Sequence, residues 1–299
     1  MTRIVSIGEC MVELAPSSVE GSYQIGFAGD TMNTAWYLRQ LLGEDHQIDY
    51  LSAVGQDAIS DQMIAFLEDA GIGTDPVLRL PGLTVGLYMI QLQEGERSFS
   101  YWRGQSAARN LASDTAHLVS ALNGAQIAFF SGITLAILSD TDRTRLLDTL
   151  NAYRADGGTV VFDPNLRPRL WESADVMTAS IMAAAEVSDT VLPSHEDEAT
   201  WFGDADPEAT LARYTQAGVK TVVVKNGPGE IIISDHGNIS RVSPVAAPKV
   251  VDTTAAGDSF NAGYLASILS GKSIDQAVVD AAALAGRVIQ SRGALMPCG

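Results

Sequence analysis

The chain reads as an α/β domain: a mainly parallel sheet covered by helices, with a small β-sheet lid standing off it. Two observations predict this. Strand-like and helix-like segments alternate along most of the chain, the order that lays strands parallel and covers them with helices. Between Val77 and Arg103 the alternation gives way to two β runs around a turn, which reads as an inserted hairpin.

The first strand is predicted at Arg3–Ile7. A glycine turn, Gly26-Phe-Ala-Gly-Asp-Thr-Met-Asn-Thr-Ala35, then opens a helix with Met32, Ala35, Trp36 and Leu42 on its apolar side. A strand at Tyr50–Gly55 and a helix at Ser60–Ala70 follow. In the hairpin, Val85–Leu92 and Arg97–Arg103 flank a turn at Glu94-Gly95-Glu96. Further strands are predicted at Gln126–Ser131, Thr159–Phe162, Thr190–Leu192 and Thr221–Lys225, with helices between them. The closing helices, Ala256–Ser270 and Ile274–Gln290, contain no Pro to break them. No repeat, low-complexity tract or long linker divides the chain. Residues 1–299 are therefore expected to form one domain, with lid strands within 12–28 and 77–104.

Composition narrows the function classes. Of 299 residues, 46% are hydrophobic and 18% charged, a globular balance with ample core. The net charge of −17 argues against nucleic acid or an anionic membrane as partner, since phosphate backbones call for Lys and Arg. It leaves room for a small anionic substrate, which needs only a few local cations. Cys10 and Cys298 lie at opposite ends without ligand spacing and read as free thiols of a reducing compartment. The first residues alternate like a strand and show no signal peptide, and no apolar run approaches the ~18 residues of a membrane span. A cytoplasmic protein is expected.

The stretch Val251-Asp-Thr-Thr-Ala-Ala-Gly-Asp-Ser-Phe-Asn-Ala-Gly263 carries the chemistry. Phe260, Gly263, Tyr264, Ser267 and Ile268 trace the buried stripe of an amphipathic helix, with Thr254 as its N-cap. Ala255, Ala256 and Gly257 are small enough for a ligand to approach their backbone N–H groups. Those groups lack intrahelical acceptors and sit at the positive end of the helix dipole, which suits them to phosphate. A carboxylate at Asp258 would repel that phosphate, unless it takes a proton from a nucleophile attacking it. Alone, Asp258 also fits a plain acidic first-turn residue.

Three further segments converge on a ligand. Ala28-Gly29-Asp30 with Asn33 brings backbone and short polar side chains to one turn, although a helix start capped by Asp30 reads equally well. Phe99, Tyr101 and Arg103 alternate along one strand face, with Tyr88 on the partner strand; the plain alternative is an exposed lid face. Arg167 follows Asp163-Pro-Asn-Leu at the carboxyl end of a strand, where open α/β sheets bind ligands. Arg103 and Arg167 together imply an acidic substrate, because guanidinium matches carboxylate in a bidentate fork and a neutral ligand would leave both unpaired.

Two phosphate motifs fail. Gly271-Lys-Ser273 lacks the first glycine of a P-loop, where Ala266 stands, and lies at a helix C-terminus. Gly227-Pro-Gly229 lacks the third glycine and following helix of a dinucleotide fingerprint. Serine-hydrolase and zinc-protease motifs are missing as well.

Asp252-Thr-Thr-Ala-Ala-Gly-Asp258 resembles the second signature of the ribokinase-like (PfkB) carbohydrate kinases, Asp-Thr-x-Gly-Ala-Gly-Asp, with Ala255 at the first glycine. Ala28-Gly-Asp30 and Asn33 resemble the first signature, again with Ala for one glycine. Gly26–Thr34, Leu80–Tyr88, Gly95–Arg103 and Asp252–Phe260 are similar to the 2-keto-3-deoxygluconate kinase branch of that family. The resemblance spans essentially the whole chain and implies a ribokinase-like three-layer fold.

It also implies roles. Gly29, Asp30, Asn33, Tyr88, Tyr101, Arg103, Arg167 and Asp258 would hold the keto acid, with the arginines on its carboxylate. Ser194, Lys225, Gly227, Gly229, Ala256 and Gly257 would border ATP, and Ala283–Gly286 the adenine. Asp197 matches the family's glutamate near Mg²⁺, but Ser194 replaces the accompanying Asn, and the acidic run equally reads as a solvated helix start. A K⁺-type cation near Asp252, Thr254 and Gly293, and oligomers joined through the lid, stay open. The implied activity is ATP-dependent phosphorylation of 2-keto-3-deoxy-D-gluconate to its 6-phosphate, with Asp258 as base. The alternatives are a neutral-sugar kinase of the fructokinase or ribokinase type and a non-catalytic sugar-acid binding protein.

Overall fold

A computed structural model describes residues 2–17, 19, 21–93 and 96–298. The strands are β1 (Thr2–Ile7), β2 (Met11–Pro16), β3 (Tyr23–Ala28), β4 (His46–Val54), β5 (Val77–Arg79), β6 (Gly86–Gln93), β7 (Glu96–Trp102), β8 (Ile127–Ser131), β9 (Thr159–Asp163), β10 (Thr190–Val191), β11 (Thr221–Val224), β12 (Ile231–Asp235) and β13 (Asn238–Val242). The helices are α1 (Asp30–Leu41), α2 (Ala58–Asp69), α3 (Thr115–Leu122), α4 (Gly132–Ala136), α5 (Asp140–Ala155), α6 (Ala174–Glu186), α7 (His195–Phe202), α8 (Pro207–Gln216), α9 (Ala256–Leu269) and α10 (Ile274–Val288).

The main sheet runs β13-β12-β11-β10-β9-β8-β1-β4-β5 and is parallel from β11 to β5. Helices cover both faces, so its strands are apolar on both sides. In β1, Ile4 joins the core under α1, α9 and α10, while Val5 and Ile7 join the core on the opposite face. The smaller sheet, β3-β2-β6-β7, is the lid. Its hairpin β6–β7 pairs antiparallel as expected, with Tyr88 opposite Tyr101. The expected turn at Glu94 and Gly95 lies outside the described residues.

Several expectations are corrected. Val77–Arg79 belongs to the main sheet beside β4, and the lid begins at Met11. The antiparallel edge β12–β13 was not anticipated. Its turn residues His236 and Gly237 both take positive φ, the two-residue hairpin geometry whose twist matches the flanking strands. The helix after Ala255 is not amphipathic: Ser259 through Ser267 are all buried, because α9 lies between α1 and α10. Thr254 is not its N-cap; Ala255 is, while Thr254 donates to the Asp252 carboxylate from its backbone N–H at 3.1 Å and its hydroxyl at 2.7 Å. Likewise Gly29, not Asp30, caps α1.

Candidate active site

The carboxyl ends of β1, β8 and β9 meet the N-termini of α1 and α9 beneath the lid, and a cleft of about 1000 Å³ opens there. Gly29, Asp30, Asn33, Tyr88, Tyr101, Arg103, Arg167, Asp197, Ser194, Lys225 and the Ala255–Asp258 turn all line it. Residues far apart in sequence are thus brought to one place. At Gly29 the chain passes so close to the body that a Cβ would stand 2.1 Å from the Glu9 carbonyl oxygen, which explains the glycine.

Three aspartates crowd the floor. Asp258 accepts the Asn33 amide at 2.7 Å, and Asp30 accepts the Asn165 amide at 2.8 Å. Asp163, at the end of β9, accepts the Asn261 amide at 2.7 Å and faces the Lys225 ammonium at 3.3 Å. Burial, then the charge of Asp30, pushes the Asp258 carboxyl up to about 8, with Asn33 pulling the other way. Burial likewise raises Asp30. Asp258 is therefore held largely protonated at neutrality and becomes, once it loses that proton, a stronger base than an ordinary carboxylate.

Ala255 occupies the left-handed region at φ 58°, ψ 17°, although it carries a Cβ. Glycine would enter this region freely, whereas alanine does so at a cost, and the fold accepts it. The Ala256 N–H donates to the Thr253 carbonyl at 3.2 Å, so one of the three expected anion-binding groups is already engaged by a turn.

A second cavity of about 460 Å³ adjoins the first, with a mostly apolar lining. It is walled by Pro244, Val245, Ala246, Ala247, Val250, Phe260, Ala282, Ala285, Gly286 and Ile289. Val245 is 90% exposed and Val250 61%, a pair of apolar side chains waiting at its rim. Of the 283–286 stretch, Ala285 and Gly286 line it, while Ala283, on the outer face of α10, does not. Gly227 lines it, but Gly229 is outside both cavities and closes a turn on Asn226. Sequence reasoning missed the 244–250 wall, whose only signal is a run of small apolar residues between two prolines.

The arginines also have partners. Arg103 pairs with the fully buried carboxylate of Glu9, and Arg167 lies 3.6 Å from Asp197. The argument that a neutral ligand would leave both cations unpaired therefore fails. Tyr88 donates its hydroxyl to Glu13, and Tyr88, Phe99 and Tyr101 form a triad with ring centroids 5.9 to 6.2 Å apart. The acidic run opening α7 is not simply solvated. Glu198 is wholly buried against Arg213 at 2.6 Å and Tyr214 at 2.9 Å, which anchors α7 and leaves Asp197 on the cleft side. Asp252, Thr254 and Gly293 do converge, with the Gly293 N–H donating to Asp252 at 2.8 Å.

A profile of the pfkB family carbohydrate kinases matches residues 1–297. The chain is 40% identical to the 2-dehydro-3-deoxygluconokinase of Dickeya dadantii, over 99% of this chain and 97% of that protein. Among solved structures, a PfkB protein from Polaromonas superposes with a TM-score of 0.84 at 27% identity, covering 97% of this chain and 96% of that one. A putative ribokinase II from E. coli, solved with ATP and Mg²⁺, shares the fold at TM-score 0.84 and 23% identity, covering 98% and 94%. No helix among the described residues is long and apolar enough to cross a membrane.

Proposed function

The chain belongs to the pfkB family of carbohydrate kinases, and from that premise we propose that it transfers the γ-phosphoryl group of ATP to the 6-hydroxyl of 2-keto-3-deoxy-D-gluconate. One observation carries this reading. The apolar and polar cavities share Ser194, Lys225, Thr253, Ala256 and Gly257, so they meet at the N-terminus of α9, one residue before Asp258. A base ring fits the apolar cavity, a hydroxylated acid fits the polar one, and phosphates fit the junction.

In this reading Asp258 accepts the proton of the sugar hydroxyl as its oxygen bonds to the γ-phosphorus, and the bond to the bridging oxygen breaks to leave ADP. Backbone N–H groups at Ala255 and Gly257 and the Lys225 ammonium stabilise the spread charge, and positioning does the rest. The lid excludes water, which would otherwise compete as acceptor. Arg167, half exposed and only loosely paired, is the cation available to a substrate carboxylate.

Among the described residues no group of three or more His, Cys, Asp or Glu could enclose a metal. That donor set suits Mg²⁺ carried mainly by phosphates and water, with Asp197 as the cleft carboxylate beside it. When bound, Mg²⁺ would offset charge on the phosphates. The Asp252 carboxylate is engaged by protein donors and staples the loop before α9, so no step is assigned to K⁺.

The test is ATP-dependent ADP release with 2-keto-3-deoxygluconate, gluconate, fructose, ribose or no sugar. Turnover confined to the keto acid supports the reading. Because Glu9 already neutralises Arg103, a neutral-sugar kinase is the second reading, and turnover on fructose or ribose alone would establish it. Silence on every sugar would favour a binding protein.

A further inference from the structure

We propose that Glu9 is a positioning residue that sets the lid, and with it the sugar cleft, against the body of the enzyme. The chain crosses between body and lid four times: from β1 to β2, from β3 to α1, from β5 to β6, and after β7. Glu9 lies in the first crossing and touches the other three. Its carbonyl oxygen lies where a Cβ on Gly29 would come within 2.1 Å. Its Oε1 would meet a Cβ on Gly86, the first residue of β6, at 2.7 Å, and its Oε2 receives the Arg103 guanidinium as the chain leaves β7.

The pair is built at a cost. The Glu9 side chain is fully buried and that of Arg103 is 10% exposed. Glu9 Oε1 and Arg103 Nε find no hydrogen-bond partner among the described residues. A buried pair left partly unsatisfied is poor evidence for stability, and a place where geometry is used is the better explanation. At this hinge the pair fixes where Tyr88, Tyr101 and Arg103 stand relative to Asp30, Asn33 and Asp258. The apolar cavity, by contrast, is lined by no lid residue among the described ones.

The inference rests on the reading that the larger cleft holds the sugar, and it makes a split prediction. In Glu9→Gln the KM for the sugar rises on the order of 10-fold or more while the KM for ATP stays put, since small misplacements of positioning groups are costly. A merely structural role would lower melting temperature or the active fraction and leave both KM values alone. Gly86→Ala crowds the same carboxylate, together with Met11 and the Arg103 stem beside it, without removing a charge, and should give the same split; it keeps the hinge testable if Glu9→Gln does not fold. The sugar used is whichever one the wild type phosphorylates, so a wrong substrate does not disturb the test. Unchanged sugar KM in the folded variants overturns the proposal. A wild type that phosphorylates no sugar overturns the sugar-site reading and this inference together.

Discussion

Asn33 donates its side-chain amide to the Asp258 carboxylate at 2.7 Å, across a sequence separation of 225 residues. The bond joins the first turn of α1 to the first turn of α9, the two helix starts that face each other over the cleft floor. It orients the carboxylate and favours its charged form, against burial and the neighbouring Asp30, which favour the neutral one. The balance leaves Asp258 poised near the pH at which the enzyme would work.

Replacing that carboxylate should separate catalysis from stability. Asp258→Asn should lose at least ~100-fold in kcat with substrate binding kept, the lower end for removing a general base. It should also stabilise the fold in alkali. The Asp258 pKa is raised from its unfolded value, so its contribution is fully present below about pH 4 and is lost as pH rises through about 8. Neutral Asn has nothing to lose there. Thermal melts at pH 5 and pH 9 should show the variant gaining on the wild type at the higher pH; equal gaps at both would remove Asp258 from the account.

The same bond predicts a pH profile. With Asp258 as the proposed base, the carboxyl must be deprotonated to act, so kcat/KM should climb with pH and level off above about 8. Asn33→Ala removes a hydrogen bond that lowers the Asp258 pKa, so the midpoint should move to higher pH by about one unit, the worth of one bond to a charged group. A midpoint that stays fixed, or moves toward acid, would mean another group governs the limb.

Arg167 and Arg103 should behave differently. Arg167 exposes 51% of its side chain, donates to the Leu166 carbonyl at 2.7 Å and lies 3.6 Å from Asp197, so its charge is only weakly paired, whereas Arg103 is already neutralised inside the hinge. Arg167→Ala should therefore raise the KM for a sugar acid by about 10-fold or more, the worth of one charge-assisted bond. The KM for a neutral sugar should barely change. Equal effects on both would argue against carboxylate recognition at this position.

How much of this was legible without coordinates depended on whether the signal was local. The β/α rhythm, the lid hairpin and the small-residue turn before Asp258 are spelled out in neighbouring residues, and the structure has all three. The stripe through Phe260 and Ile268 packs into the core as read, but it marked only part of the buried surface, because α9 is walled in by α1 and α10 along its middle. Glu9 stayed invisible, since its partners Gly29, Gly86 and Arg103 lie in three other segments. Arg103 looked like a free cation for the same reason. The β12–β13 edge had a local signal, the His236-Gly237 turn, but it is weaker than the Asn-Gly pair that usually marks such hairpins.

Ala255 offers a last test, because its left-handed backbone is a strain the sequence could have avoided. Holding a non-glycine residue there costs roughly 1–2 kcal/mol, while glycine loses about 0.4–1 kcal/mol through its freer unfolded chain. The two terms oppose each other, and strain relief is the larger. Ala255→Gly should thus be neutral to slightly stabilising and keep kcat within about 2-fold, since the N–H groups of the turn stay in place. Ala255→Val should do the opposite, because a β-branched side chain resists this region more strongly. Thermal melts and ATP-saturation curves of the two variants check the ordering. If glycine were clearly the less stable of the pair, the φ of 58° at Ala255 would not be the strained feature described here.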